Sequence, residues 1–379
     1  LAGRNRRRLA AGVLALAGAF VAVAGHGLVA NGAPATAATP AAPGWGTFGH
    51  VATNDLTTAA AKQAVAQAYS VLVLRGPITS GLLSDLRQRR SGIVLLSYEK
   101  AAGLSAADVR TITARNPEWI ARNKAGADIH PRNIADTTLG DLTNPAFRAW
   151  QAAQMTAEVA QGTDGAFIDT LGAYFPDEFY TSHPVAAGTA VTNAAWRDAS
   201  ADLLRRVKTA TGKTVVANGF GLGSGAAYYK APADSDVLIA AADGVQIEGF
   251  TRWGDAPVAQ FRKADAWDQD LAYLALLGAR GKTTLAYTKV NKSASNAELT
   301  SLRDYALASF LEAFTAGKSS FGFDDGRRIP AIASDAPWAK SIGAAAAVRT
   351  RPANGPTTWV RTFTNGTLTL KVASAPVVT

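Results

Sequence analysis

Two short runs of this chain share one grammar, and each ends on an acid: Asp164-Gly165-Ala166-Phe167-Ile168-Asp169 and Asp243-Gly244-Val245-Gln246-Ile247-Glu248. Each opens on an Asp-Gly turn signal, continues through mostly apolar residues for too short a distance to be a helix, and stops at a carboxylate. A run of that length between turn residues reads as a buried strand. At the C-terminal end of a strand in a parallel α/β barrel, a carboxylate stands at the mouth where such folds keep their chemistry. If the two strands share a register, Asp169 and Glu248 lie at one depth. Two carboxylates so placed suit glycosidic bond cleavage, which needs one as nucleophile or base and a second, held neutral, as proton donor. The longer arm of Glu248 suits the donor. A separation of about 5–5.5 Å would favour retention of configuration, about 6.5–9.5 Å inversion, and more than about 10 Å a barrel that binds sugars without cleaving them. Plainer roles also exist: Asp169 as a helix cap or partner of a buried Arg, and Glu248 in a salt bridge to Arg252 or Arg75.

The other expected strand ends carry Arg75, Tyr98, Glu99, Asp141, Asn218, Tyr287, Lys289, Asp324 and Asp325, with no His among them. Proton transfer would therefore fall to carboxylic acids. Tyr98, Asp141, Asn218, Lys289 and Asp324 are candidate substrate contacts. Asn218 equally suits the turn before Gly219, Asp141 the loop before Asn144, and Asp324-Asp325-Gly326 reads first as a turn. Lys289 would neutralise a carboxylate, bind an acidic sugar or be solvated. Aromatic residues gather after the two acidic strands, at Tyr174, Phe175, Phe179, Tyr180, Phe250 and Trp253. Such rings stack on sugar faces or pack a long insertion onto the barrel; Tyr174 and Trp253 are counted as candidate contacts, and Trp119 as core.

These residues need a frame to bring them together. From Trp45 onward strand-like and helix-like segments alternate. Expected strands fall at 70–76, 92–99, 138–143, the 164–169 run, 213–218, 244–248, 282–289 and 319–324, with 44–54 read as irregular. Ser105 and Asn144 are placed to cap helices, the latter with Pro145 at the first helical position. Eight strand-helix units predict a (β/α)8 barrel, a TIM barrel of class α/β, over residues 44–335. A doubly wound sheet is the competitor, but no GxGxxG or GxxxxGK[ST] follows the first strand, which disfavours nucleotide binding. In residues 336–379, two alternating runs around Asn365-Gly366 predict a small C-terminal β-hairpin packed on the barrel.

Composition narrows the chemistry. Of 379 residues, 48% are hydrophobic and 18% charged, which suits a large core. Absence of cysteine excludes disulfides and thiolate catalysis, and the four His form no metal-ligand spacing, so no cofactor is expected. A hard cation held by Asp141, Asp169 and Asp324 is the remaining metal-dependent alternative. Residues 1–43 read as a secretory signal peptide and low-complexity leader: Arg4, Arg6, Arg7 and Arg8, an apolar run from Leu9 to Gly25, then small residues from Ala33 to Ala38. An uncleaved anchor is the alternative. The leader holds four of the basic residues and no acid, so the net +9 leaves 34 basic against 29 acidic residues, +5, in the rest. No dense basic run carries interleaved aromatics, so nucleic acid is not an expected partner. The expectation is a secreted protein with a polysaccharide substrate, no membrane contact once the leader is cleaved, and an oligomeric state the sequence leaves open.

The run Leu142-Thr143-Asn144-Pro145-Ala146-Phe147-Arg148-Ala149-Trp150, the Asp164–Asp169 strand, Val216-Ala217-Asn218-Gly219 and the closing Arg361-Thr362-Phe363-Thr364-Asn365-Gly366 together resemble glycoside hydrolase barrels of secreted bacterial proteins. The resemblance is to hypothetical glycosyl hydrolase family 15 and, more distantly, to endo-α-1,4-polygalactosaminidase-like barrels. It implies a TIM barrel acting on a polysaccharide and supplies no sugar. By analogy of fold, Asp169 and Glu248, at the ends of strands four and six, match the nucleophile and acid/base positions of several retaining α-glycosidase clans.

Overall fold

A computed structural model describes residues 44–379 except 133, 135, 353–356 and 373–376. The expected leader lies outside the described residues. Strands β1 (Gly46–Ala52), β2 (Val71–Arg75), β3 (Val94–Lys100), β4 (Gly165–Gly172), β5 (Thr214–Phe220), β6 (Gly244–Ile247), β7 (Thr283–Lys289) and β8 (Ser319–Asp324) form a closed barrel in which β8 returns to β1. All eight pairings are parallel. A helix crosses between each successive pair, so the architecture is the expected (β/α)8 barrel. The caps behave as their chemistry dictates. Asn144 Oδ1 accepts from Ala146 N (2.9 Å) and Phe147 N (3.3 Å) ahead of Pro145–Val159, and Ser105 forms a reciprocal capping box with Asp108.

One strand differs from expectation. The first stave of the barrel is Gly46–Ala52, from the segment read as irregular, and 138–143 is no stave at all. Only Thr138–Leu139 is extended there, paired antiparallel with Gly103–Leu104 just beyond β3. The glycines that disguise β1 answer to packing. A Cβ on Gly49 would stand 2.6 Å from the Tyr69 ring, and one on Gly46 would stand 2.5 Å from Ser70 Oγ. Neighbouring side chains fill the space a strand former would need, so the apolar run that flags a strand is missing. One gain and one loss cancel in the numbering, and the Asp169 stretch is the fourth strand in both accounts.

Strand alternation sorts the barrel into two layers. Ile168, Ala217, Val245 and Ile247 face the helices, whereas Phe48, Val73, Leu96, Phe167, Val216, Leu285 and Tyr287 pack together inside. The interior is filled by side chains, as small barrels require. Replacing the fully buried Phe167 by Ala would cost about 3–5 kcal/mol. Two residues further along β3, β4 and β5 the same inward face presents Tyr98, Asp169 and Asn218, directly above this apolar floor.

Strands β9 (Thr358–Phe363) and β10 (Gly366–Lys371) make the expected C-terminal hairpin, closed by Thr364-Asn365 with Gly366 paired to Phe363. Its apolar face, Phe363, Leu368 and Leu370, is buried in the main core. Arg361 fastens it to the end of helix Asn296–Ala313 by donating to the Leu311 and Phe314 carbonyls at 2.8 and 3.2 Å, the placement for a cation at a helix C-terminus. Trp359 Nε1 donates to Asp268 on the preceding helix at 2.7 Å. The hairpin therefore braces the outer helices.

Candidate active site

At the C-terminal rim, β4 to β7 bring four polar side chains into one hydrogen-bonded chain. Asn218 stands between the acids: its Nδ2 donates to Asp169 Oδ1 at 2.9 Å and to Glu248 Oε2 at 3.0 Å. Lys289 closes the far side, its Nζ 2.5 Å from Glu248 Oε1. Tyr98 closes the near side, its hydroxyl 2.5 Å from Asp169 Oδ2. The salt bridge weighed for Glu248 is thus made, but to Lys289 rather than Arg252 or Arg75.

Backbone geometry explains how Asp169 reaches this place. The β4–β5 register slips between Ile168 and Leu171, and Thr170 has φ 60°. A β-branched residue at positive φ is an outlier that costs on the order of 1–3 kcal/mol, and a bulge re-aims the side chain beside it. Thr170 N–H turns back to donate to Asp169 Oδ1 at 2.7 Å. Gly219 makes the close approach possible, since a Cβ there would meet the Leu171 carbonyl oxygen at 2.1 Å, at φ 145°.

The two acids live in different fields. Burial raises the Asp169 carboxyl above its ordinary value and the neighbouring Glu248 adds to it, against the three donors Tyr98, Thr170 and Asn218. For Glu248 burial also pushes upward, but the Lys289 ammonium, with its hydrogen bond and that of Asn218, outweighs it and holds the group below its ordinary value. The Glu248 and Lys289 side chains keep 31% and 25% exposure, so this side of the site is open to solvent. Asn218 Oδ1, on the side of the amide turned away from the two acids, is buried and has no partner.

The model of hypothetical glycosyl hydrolase family 15 matches residues 93–367, from the start of the β3 region into β10. The chain belongs to that family. No curated protein matches the chain in sequence. Among solved structures it is similar to the glycoside hydrolase domain of PelA from Pseudomonas aeruginosa, with 20% identity over 74% of this chain and 95% of that one and a TM-score of 0.47. It is also similar to Ega3 of Aspergillus fumigatus in complex with galactosamine (12%, 79% and 97%, TM-score 0.44). A third is the maltogenic α-amylase AmyB of Thermotoga neapolitana (10%, 87% and 86%, TM-score 0.50), a likeness that bears on the barrel fold alone.

Within this family member the remaining candidates separate. Asp324 sits at the end of β8, where its Oδ2 accepts from Tyr287 at 2.7 Å and its Oδ1 from Gly326 N at 2.8 Å; it serves both the interior and the turn read from the sequence. Asp141 is not at a barrel strand end. It lies on the short segment beyond β3, and one carboxylate oxygen takes both the N–H and the hydroxyl of Thr143 (2.8 and 2.6 Å), fixing the loop before Asn144. Among the described residues no group of three His, Cys, Asp or Glu is gathered to hold a metal ion, and Asp141, Asp169 and Asp324 do not form one. Glu99 points outward to Glu158, and burial first, with that neighbour second, lifts it to about 7. In the insertion after β4, Phe175 and Tyr180 stack at 5.0 Å and are buried, so these rings pack the loop. Tyr174 is half-buried beneath Lys230, 5.3 Å from the ring. Trp253 alone of the six remains 48% exposed.

Two residues of the site were missed. His50 on β1 donates from Nε2 to Gln246 Oε1 at 2.6 Å under the acid pair, in a cage of Phe48, Tyr98, Phe167 and Tyr287. Burial, opposed by the Gln246 bond, lowers it to about 4, so the imidazole is neutral at pH 7 and makes no counter-ion there. Gln246 precedes Glu248 by two, and that spacing alone marks it as inward-facing.

Proposed function

We propose that the protein is an exported glycoside hydrolase that cleaves a polysaccharide by a retaining, two-carboxylate mechanism, with Asp169 as nucleophile and Glu248 as acid/base. One observation carries this reading: a single amide nitrogen bridges both acids. Two bonds of 2.9 and 3.0 Å leaving the two N–H directions of one amide put the bonded oxygens about 5 Å apart, at the retaining separation and short of the inverting one. A barrel that only binds sugars has no use for that convergence.

The step follows from the donors. An Asp169 oxygen attacks the anomeric carbon as the bond to the leaving oxygen breaks, and the Glu248 proton passes to that oxygen. Water, deprotonated by Glu248, then releases the sugar from Asp169. Tyr98, Thr170 and Asn218 all donate to Asp169, so its environment is built to receive charge back when the ester breaks. Glu248 is ionised at rest and must take up a proton before the first step, which requires Lys289 to loosen as substrate fills the open side.

The test is digestion of bacterial exopolysaccharides and wall glycans with product anomers read by NMR. Retention in the wild type and loss of activity in Asp169→Asn are expected. Inversion, or full activity in that variant, overturns the mechanism.

A further inference from the structure

Trp253 is the large apolar side chain left standing at the site. It is 48% exposed, while Phe250, three residues before it, is fully buried. Its loop is held rather than loose. Buried Arg252 donates to the carbonyls of Ala256 at 2.7 Å and of Pro257 and Val258 at 3.4 Å. Thr251, at φ 61°, donates its N–H to buried Asp270 at 2.9 Å. Arg262, ion-paired with the same Asp270 at 2.8 Å, stands 5.5 Å from the indole centre. Two glycines make room beside the ring: a Cβ on Gly249 would lie 2.9 Å from it, and one on Gly223 would lie 3.6 Å from Trp253 Cη2 and 3.8 Å from Glu248 Cβ. The indole and Glu248 therefore flank the same glycine. An aromatic face held exposed by a clamped loop is pre-organised to receive a flat apolar partner.

We propose that Trp253 is the stacking platform for the sugar on the leaving-group side of the scissile bond, which makes the enzyme selective for linkages inside a chain over bonds to small aglycones. The proposal rests on Glu248 as the acid, because the acid meets the glycosidic oxygen and whatever stands beside it meets the sugar that departs. The ring's neighbours are Gly223, Gly249 and Arg262, around Glu248 and not around Asp169.

The experiment uses the full chain made inert by Glu248→Gln, run in native gels cast with amylose, polygalacturonate or chitosan as neutral, acidic and basic chains. Retardation by at least one polymer is expected, about tenfold weaker when Trp253→Ala is added. Trp253→Phe should restore most of it. Tyr229→Ala, which removes a ring 42% exposed elsewhere, should change nothing. Equal retardation with and without the indole overturns the platform, as does no retardation by any polymer. In the active background, Trp253→Ala should raise KM for the retarding polymer about tenfold and leave the glycosyl fluoride of the same sugar, which has no ring on the leaving-group side, within about twofold; equal losses on both overturn the assignment. Asp169→Asn, assayed alongside, separates the two ideas: if it stays active the mechanism fails, whatever the indole does.

Discussion

The fourth and sixth strands are twins at one end and opposites at the other. At their starts Asp164 and Asp243 do the same work: each carboxylate accepts the N–H of a neighbouring strand, Leu95 at 2.8 Å and Val215 at 3.0 Å, and each pairs with a helix cation, Arg87 at 2.9 Å and Lys208 at 2.5 Å. Both following glycines lie where a Cβ would strike a neighbouring carbonyl. At their ends the acids diverge. Asp169 sits on a bulge with three uncharged donors, whereas Glu248 lies one residue beyond its strand with a lysine on it. One strand grammar thus yields two scaffold acids of the same kind and two site acids of different kinds, because a strand's start is set by its ladder and its end by what faces it across the mouth.

The sharpest way to break the comparison is to remove the two site acids in turn. Asp169→Asn should cost on the order of 10⁴-fold or more in kcat, and Glu248→Gln about 10²–10⁴-fold, least on substrates with good leaving groups. Azide gives the difference a signature. Added to Asp169→Ala it should yield a glycosyl azide of inverted configuration, and added to Glu248→Ala one of retained configuration; the reverse outcome would exchange the two roles. Asn218→Ala comes next. It leaves both acids in place but unlinked, and a displacement of about 1 Å is worth up to about 10²-fold. A loss in kcat with thermal stability near that of the wild type would locate the effect in geometry.

How much of this could be read before the fold was known depends on which residues carry their own period. Phe167-Ile168-Asp169, Val216-Ala217-Asn218 and Gln246-Ile247-Glu248 alternate cleanly, so their inward acids and amide declared themselves, and Asn365-Gly366 marked its hairpin. β1 did not, because Gly46 and Gly49 answer to Ser70 and Tyr69 rather than to strand propensity, and with β1 went His50. Nor does spacing in sequence show that Lys289 lies across Glu248, or that the strand bulges at Thr170 so that its N–H donates back to Asp169. The signal that placed Asp141 at a strand end was two extended residues, too few to reach the mouth.

Lys289→Met sharpens the contrast between the site acids without removing either. An ammonium within bonding distance favours the charged carboxylate. Taking it away makes Glu248 hold its proton to higher pH, so the limb of kcat/KM that Glu248 sets should move upward. Burial lifts Asp169 while Lys289 lowers Glu248, which works against the productive form with Asp169 ionised and Glu248 protonated, so the variant should hold more of that form. A profile with neither limb moved would mean that Lys289 does not govern the Glu248 proton.

The smallest effect should fall at the strand starts, where the comparison predicts equality. Asp164→Ala and Asp243→Ala each strand one backbone N–H of a neighbouring stave at the foot of the barrel, at a cost of about 1–3 kcal/mol. The ion pairs add little, since their side chains are about a third exposed or more and such pairs are worth about 0–1 kcal/mol. Thermal or urea unfolding should therefore show two similar losses, with kcat unchanged in both. A large fall in kcat for one and not the other would mean that the two ends of that strand are mechanically linked, with slack at its foot passing along the ladder to its acid. Of the two, β4 is the candidate for such transmission, because the strained turn at Thr170 lies five residues beyond Gly165 on the same rigid stave and has the least tolerance for a shift.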